Sequence, residues 1–344
     1  MTTLQIKCSR NYQVHIGHGI LSQAGQILQQ LTQAEICCII SDSNIAPLYT
    51  ANLESVLRQA GYRVVQFIFP AGESSKNLCV YADILRFLAE NGLGRKDCIL
   101  ALGGGVTGDL AGFAAASYLR GIPYIQIPTT LLAMVDSSVG GKTGLDLPQG
   151  KNLVGAFYQP SAVLCDLDTL DSIPTDTFVD GCAEVIKYAA LFDKELFHHL
   201  EEKSMDFDRQ WVITRCIQWK RDTVQQDEYD QGKRMLLNFG HTIGHSVETC
   251  SDYRLSHGRA VAIGMAVIAR ATRFPGWDDL LSLLQKFALP TTTSYSVQEL
   301  LHAATHDKKR SGELWQLILP AEIGLCRLVA ATTAEFEQLL KEGI

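Results

Sequence analysis

Three histidines, His241, His245 and His257, fall close together in the stretch NFGHTIGHSVETCSDYRLSHG at residues 238–258. Neutral imidazole is the commonest protein ligand for a divalent ion such as zinc, and a catalytic zinc keeps three protein ligands and one open position. If residues 239–250 are helical, His241 and His245 stand at i and i+4 on one face and can grip a metal together. His257 then arrives from the next segment, past a Cys-Ser-Asp-Tyr break. A lone histidine is most often an ordinary core or surface residue, but three so close, flanked by Gly240, Gly244 and Gly258, favour a site. A hard carboxylate ligand is expected from elsewhere in the chain.

Glu184 meets that need. In DGCAEVIK, residues 180–187, Glu184 and Lys187 are three apart and project from one face of a helix. On a surface such a pair is ordinary decoration. Here Ala183, Val185 and Ile186 surround it, so at least one of the charges is buried and requires a metal or an opposite charge.

Two glycine-rich stretches bear on phosphate binding. Gly103, Gly105 and Gly108 match G-x-G-x-x-G between a strand and a helix, where backbone N–H groups and a helix N-terminus receive a pyrophosphate. The motif comes late in its series, and Pro128-Thr129-Thr130 stands where an acid would end the next strand, so it is not an ordinary Rossmann fingerprint. Asp42 ends an earlier strand and can take the ribose-hydroxyl role; Glu73 and Lys76 sit at another such end. The second stretch, DSSVGGKTG at 136–144, is not a Walker A loop, because Asp136 stands where that motif needs its first glycine. Lys142 and Lys151 can still hold phosphate as point charges.

The elements that must carry these residues alternate through the first half. Strands are expected at 12–16, 36–40, 62–69, 98–102, 124–127 and 162–164, and helices at 20–31, around Leu78 to Leu88, and at 110–119, the pattern of a largely parallel α/β sheet. From Thr175 the pattern is helical, apart from a late hairpin of 314–319 with 326–329. This change of period places a boundary at 172/173, giving domains 1–172 and 173–344. The 344 residues, 47% hydrophobic, suffice for two cores. A net charge of −7 offers no field for nucleic acid or an anionic membrane, and no apolar run reaches the length that spans a bilayer. The expected partner is a small metabolite and the expected location the cytoplasm. The ten cysteines include no CxxC and read as reduced core residues.

Taken together, GGGVTGD at 103–109, PTTLL at 128–132, DSSVGGK at 136–142, GKN at 150–152, AEVIK at 183–187, NFGHTIGH at 238–245 and His257-Gly258 resemble the 3-dehydroquinate synthase family, within the sugar phosphate cyclases. The resemblance covers nearly the whole chain. It implies a dehydroquinate synthase-like fold: an α/β N-terminal nucleotide-binding domain and a mainly α-helical C-terminal metal-binding domain, as a homodimer with the site in the interdomain cleft. It implies zinc (or Co2+) on Glu184, His241 and His257, which turns His245 into a catalytic or neighbouring histidine. NAD would be held by Asp42, Asn44, Glu73, Lys76, Gly104, Gly105, Val106, Asp109, Thr129, Thr130, Lys142, Lys151 and Ser172. Lys142, His245, Lys187 and Asp136 would be catalytic. Arg120 (in a partner subunit's site), Lys151, Asn152, Lys187, Lys220, Arg234, Asn238 and Lys308 would bind substrate, with Lys220, Arg234 and Asn238 at its carboxylate.

The implied reaction closes 3-deoxy-D-arabino-heptulosonate 7-phosphate into 3-dehydroquinate and phosphate, in the shikimate route to aromatic amino acids, by transient oxidation, elimination, reduction and aldol closure. Arg259 and Ser246 depart from the family pattern, where an acid and an alanine are usual. Other readings are a sugar phosphate cyclase of a different branch, a zinc- and NAD-dependent polyol dehydrogenase of the glycerol dehydrogenase kind, and a non-catalytic binder that keeps the fold. A dehydrogenase would accumulate NADH; a cyclase returns it to NAD⁺.

Overall fold

The computed structural model describes residues 1–305, 310–311 and 314–344. The chain divides into two compact units, Met1–Ile173 with Lys220–Tyr229, and Pro174–Trp219 with Asp230–Ile344.

In the first unit, β1 (Thr2–Ile6), β2 (Tyr12–Gly17), α1 (Ala24–Leu31), β3 (Ile36–Asp42), α2 (Ala46–Gln59), β4 (Arg63–Phe69), α3 (Leu78–Glu90), β5 (Cys98–Gly103), α4 (Gly105–Ser117) and β6 (Tyr124–Pro128) follow in order. A hairpin of β7 (Lys142–Leu147) and β8 (Gly150–Phe157), and then β9 (Ala162–Asp166), complete the set. Seven strands form one sheet in the order β1-β2-β9-β6-β5-β3-β4; β1 runs antiparallel to β2 and every other pair is parallel. β3 from Ile36 to Ile40 and β5 from Cys98 to Leu102 are apolar because both faces are covered. Cys37 and Ile39 of β3, with Leu100 and Leu102 of β5, pack beside α1 and α2, whereas Cys38, Ile40, Ile99 and Ala101 pack beside α3 and α4. The connections leaving β3 go first to β4 on one side and then back to β5 on the other. The carboxyl ends of β3 and β5 therefore flank a topological switch point, where open α/β sheets bind ligands.

The second unit holds α5 (Thr175–Phe192), α6 (Lys194–Lys203), α8 (His241–Cys250), α9 (His257–Thr272), α10 (Trp277–Lys286), α11 (Val297–Thr305) and α12 (Thr333–Gly343). The division between units falls within α7 (Arg209–Gln226). A small sheet of β10 (Arg310–Ser311), β11 (Leu314–Glu322) and β12 (Leu325–Ala331) is antiparallel throughout. The core of this unit is helix on helix. Ala260 to Ala269 of α9 are all buried, which makes it the central element. Among the described residues no helix is long and apolar enough to cross a membrane, and the cysteines form no disulfide.

Parts of the fold go beyond the expectations. The end of the glycine-rich stretch 136–144 opens the β7–β8 hairpin, where no strands are expected; α2 has no counterpart among the expected helices; and residues 2–6 form an edge strand outside the expected set. In the hairpin Gly144 and Gly155 lie back to back: a Cβ on Gly155 would stand 2.1 Å from the Thr143 carbonyl oxygen. Bare backbone is what lets these strands meet, and it also erases the side-chain alternation by which a strand is read.

Candidate active site

In the second unit the metal-type residues converge. Glu184 comes from the middle of α5, His241 is the first residue of α8, and His257 is the first residue of α9. Their ligand atoms all lie within 4.8 Å of one another. Glu184 Oε1 is 3.4 Å from His241 Nε2 and 3.5 Å from His257 Nε2. Four ligands at zinc–nitrogen and zinc–oxygen bond lengths have tetrahedral edges of about 3.3–3.4 Å, so a borderline divalent ion fits this donor set. Glu184 is 1% exposed, and its other oxygen is paired with Lys187 Nζ, equally buried. His241 Nδ1 lies 3.1 Å from the Phe239 carbonyl oxygen, to which it donates when Nε2 is the free nitrogen.

Backbone contacts set these positions. A Cβ on Gly264 of α9 would stand 1.9 Å from the Gly240 carbonyl oxygen, and one on Gly244 would stand 3.0 Å from the Ala260 carbonyl oxygen. Gly240 itself has φ +76, a left-handed conformation suited to glycine, and starts α8. The start of α9 is capped from α5: Asp180 Oδ1 accepts from the Arg259 backbone N–H at 3.0 Å and from the Ser256 hydroxyl at 2.5 Å. Arg259 adds a 2.8 Å contact to Asp176, and Ser246 donates to the Thr242 carbonyl within its own helix at 3.1 Å. The two departures from the family pattern are thus absorbed locally.

His245 belongs to a second grouping with His257 and Glu248. Glu248 Oε2 lies 3.5 Å from His257 Nδ1 and 4.0 Å from His245 Nε2. Burial alone would lower the His257 pKa; hydrogen bonds to Glu184 and Glu248 outweigh it and push the imidazolium up to about 10. Glu248 was missed in the sequence, although His241, His245 and Glu248 at i, i+4 and i+7 mark one helical stripe. Arg234 is 2% exposed on a turn of tight helix, 233–238, that also carries the half-buried Asn238. Lys308 lies outside the described residues.

In the first unit the nucleotide-type residues gather at the switch point. Gly104 begins α4 without a side chain to cap it, leaving the first-turn N–H groups toward the end of the sheet. Gly103 and Gly108 permit close packing: a Cβ on either would fall 2.4 Å from Thr107 Oγ1 or 2.7 Å from Gln126 Oε1. Asp42 accepts from the Asn44 and Ile45 backbone N–H groups at 2.9 and 3.2 Å and from the Thr107 hydroxyl at 3.3 Å, so the strand-end acid and the glycine turn are neighbours. Thr129 N–H donates to the Gly103 carbonyl at 3.0 Å, and Thr130 stands beside Gly104. Val106 is half-buried in the α4 layer.

Lys76, 5% exposed, lies 2.6 Å from Asp109 Oδ2, 2.6 Å from Asn152 Oδ1 and 3.9 Å from Glu73, which also meets Lys151 at 3.9 Å. Burial works against both charges of the Lys76–Asp109 pair and raises the Asp109 carboxyl; around Lys76 the nearby acids outweigh burial and hold its pKa above the ordinary lysine value. Asp136 sits in a single turn of π-helix, 133–137, and takes Lys220 Nζ at 2.7 Å. Lys142 is exposed at the start of β7. Ser172 is tied to the Tyr49 hydroxyl at 2.5 Å. Leu119 and Arg120, with φ 50 and 68, are consecutive left-handed residues in the turn after α4.

Known proteins share both halves of this arrangement. The family model described as 3-dehydroquinate synthase N-terminal matches residues 66–180, and that described as 3-dehydroquinate synthase C-terminal matches residues 181–310. The 3-dehydroquinate synthase of Streptococcus suis (strain 05ZYH33) is 42% identical over 326 residues, 91% of this chain and 92% of that protein. Among solved structures, 2-deoxy-scyllo-inosose synthase with carbaglucose-6-phosphate, NAD+ and Co2+ superimposes with TM-score 0.89 at 26% identity, covering 100% of both chains. The 2-epi-5-epi-valiolone synthase ValA from Streptomyces hygroscopicus subsp. jinggangensis 5008, with NAD+ and Zn2+ bound, gives TM-score 0.88 at 27% identity over 98% of each chain. With a carboxylate–dihistidine cluster in one unit, a glycine turn at a sheet switch point in the other, and that extent of identity, the chain belongs to the 3-dehydroquinate synthase family.

Proposed function

We infer that the chain is a 3-dehydroquinate synthase, an enzyme that converts 3-deoxy-D-arabino-heptulosonate 7-phosphate into 3-dehydroquinate and phosphate. The observation that carries this reading is the Glu184, His241 and His257 cluster in a chain 42% identical to a 3-dehydroquinate synthase over nine-tenths of its length. When bound, NAD supplies a reversible hydride acceptor and a zinc or cobalt ion a Lewis acid for the substrate alcohol.

The chain's own residues hold, orient and neutralise. Glu184, His241 and His257 hold the ion, and Lys187, paired with Glu184, keeps a second cation beside it. Asp42 and Asn44 receive the ribose hydroxyls, while Gly104, Gly105 and Val106 with Thr129 and Thr130 offer N–H and hydroxyl groups to the dinucleotide. Lys76 orders Asp109, Glu73 and Asn152, and Asp136, anchored by Lys220, would serve the nicotinamide end of the cofactor. Lys142 would act at the hydride transfer and His245 would take up the phosphate as it leaves. Lys151, Asn152, Lys187, Lys220, Arg234, Asn238 and Lys308 serve the two anionic ends of the substrate, which explains cations concentrated in an acidic chain. The enzyme works as a homodimer in the cytoplasm, with Arg120, presented by a left-handed turn, serving the partner's site.

Incubation with the heptulosonate phosphate, zinc and a trace of NAD⁺, reading phosphate, dehydroquinate and NADH together, tests this. Equal phosphate and dehydroquinate with no build-up of NADH is expected. NADH rising in step with product would make the chain a dehydrogenase instead.

A further inference from the structure

Both ligand histidines present Nε2 to Glu184 Oε1, at 3.4 and 3.5 Å, and each has its other ring nitrogen beside an acceptor. For His241 that acceptor is the Phe239 carbonyl oxygen at 3.1 Å; for His257 it is Glu248 Oε2, 3.5 Å from Nδ1. An imidazole that donates through Nδ1 carries its lone pair on Nε2, so the acceptor decides which nitrogen is available to a cation and where the ring points. Glu248 is 2% exposed, and a carboxylate at that depth needs donors. It lies two turns beyond His241 on the same face of α8, within reach of His257 at the head of α9. The backbone of α9 is fixed by the Asp180 cap, but that cap does not set the rotation of the His257 ring.

We propose that Glu248 is a positioning residue of the metal site: its carboxylate holds the Nδ1-protonated tautomer of His257 and turns Nε2 toward Glu184. The proposal rests on the reading of Glu184, His241 and His257 as the metal ligands. It also separates two uses of one cluster, since a second ion on His245, Glu248 and His257 would require Nδ1 to give up its proton.

The test uses the full chain stripped by a chelator and titrated with zinc against a chromophoric competitor, with cobalt loading for its visible spectrum. Glu248→Leu is expected to weaken zinc binding about 10–100-fold and to shift the cobalt bands. Glu248→Gln, whose amide oxygen still accepts from Nδ1–H, is expected to stay within a few-fold of wild type with an unshifted spectrum. Nitrogen-15 NMR of the histidine-labelled, zinc-loaded wild type is expected to show His257 bound through Nε2 and protonated on Nδ1, a readout that stands even if Glu248→Leu does not fold. Wild-type affinity in Glu248→Leu, zinc on Nδ1 of His257, or two zinc ions per chain would each overturn the proposal. His257→Ala serves as the control. If it loses zinc while Glu248→Leu keeps it, the positioning role alone fails; if it keeps zinc, the ligand reading fails with it.

Discussion

The backbone of Gly258 runs so close to Asp180 that a Cβ atom there would stand 1.9 Å from the Asp180 carbonyl oxygen. The residue after a metal-type histidine is therefore pressed directly against α5, the helix that carries Glu184. Gly258→Ala must push the two helices apart, and overpacking of this kind costs about 1–3 kcal/mol. We expect a lower urea midpoint and a weakened zinc affinity together; unchanged metal binding would mean that the contact does not set the ligand spacing.

Removal of each ligand in turn distinguishes the histidines. Glu184→Gln, His241→Ala and His257→Ala should each lose tightly bound metal and activity, because each takes one of three ligands from an open site. His245→Ala should keep the metal and lose turnover. Metal analysis after dialysis decides it, and retention in His257→Ala with loss in His245→Ala would reverse the assignment.

Substrate choice should follow the carboxylate. Arg234 is buried, and a site built to bind a carboxylate discriminates strongly against an analogue that lacks it. We expect turnover of the heptulosonate phosphate and none of sedoheptulose 7-phosphate. Arg234→Ala should damage that turnover far more than NAD⁺ affinity. Comparable kcat/KM for the two sugars would place the chain in another cyclase branch.

Acid should loosen the second unit through Asp193. Burial raises this carboxyl, but Arg215 at 2.9 Å through both Nε and Nη2, the Trp219 indole N–H at 2.8 Å and the Leu196 N–H outweigh burial and leave it below the ordinary aspartate value. A depressed folded-state pKa gives stability that is fully present above the unfolded value and is lost as pH falls through the folded one. Asp193→Asn should therefore cost about 1–3 kcal/mol at neutral pH and flatten the acid limb of stability against pH. Parallel denaturation curves for the two proteins down to pH 3 would contradict this.

Much of the first unit is legible because burial on both faces writes itself as an unbroken apolar run: Ile36 to Ile40 and Cys98 to Leu102 read directly as central strands. The β7–β8 hairpin is not, since Gly144 and Gly155 replace the side chains whose alternation would reveal it. His241, His245 and His257 announce themselves by type. Glu248 does not, because a glutamate on a helix is ordinary until a fold puts an imidazole beside it. The return of Lys220–Tyr229 to the first unit has no sequence signal either; Lys220 meets Asp136 across a long stretch of chain, and such pairings are decided by topology.

The pairing of β2 with β9 has a consequence for how the chain is made. Residues 12–17 leave the ribosome early but find their parallel neighbour only when residues 162–166 have followed, and Lys7 and Ser9, which bond Gln225 and Glu228, wait longer still. Pairings this distant in sequence form slowly, since the intervening loop must close before any contact rewards it. The β1–β2 ribbon is thus made before the rest of the sheet and is among the last of its parts to dock. Until then β2 keeps one open edge on which a neighbouring nascent chain can pair, so the interval between the two events leaves this ribbon open to aggregation.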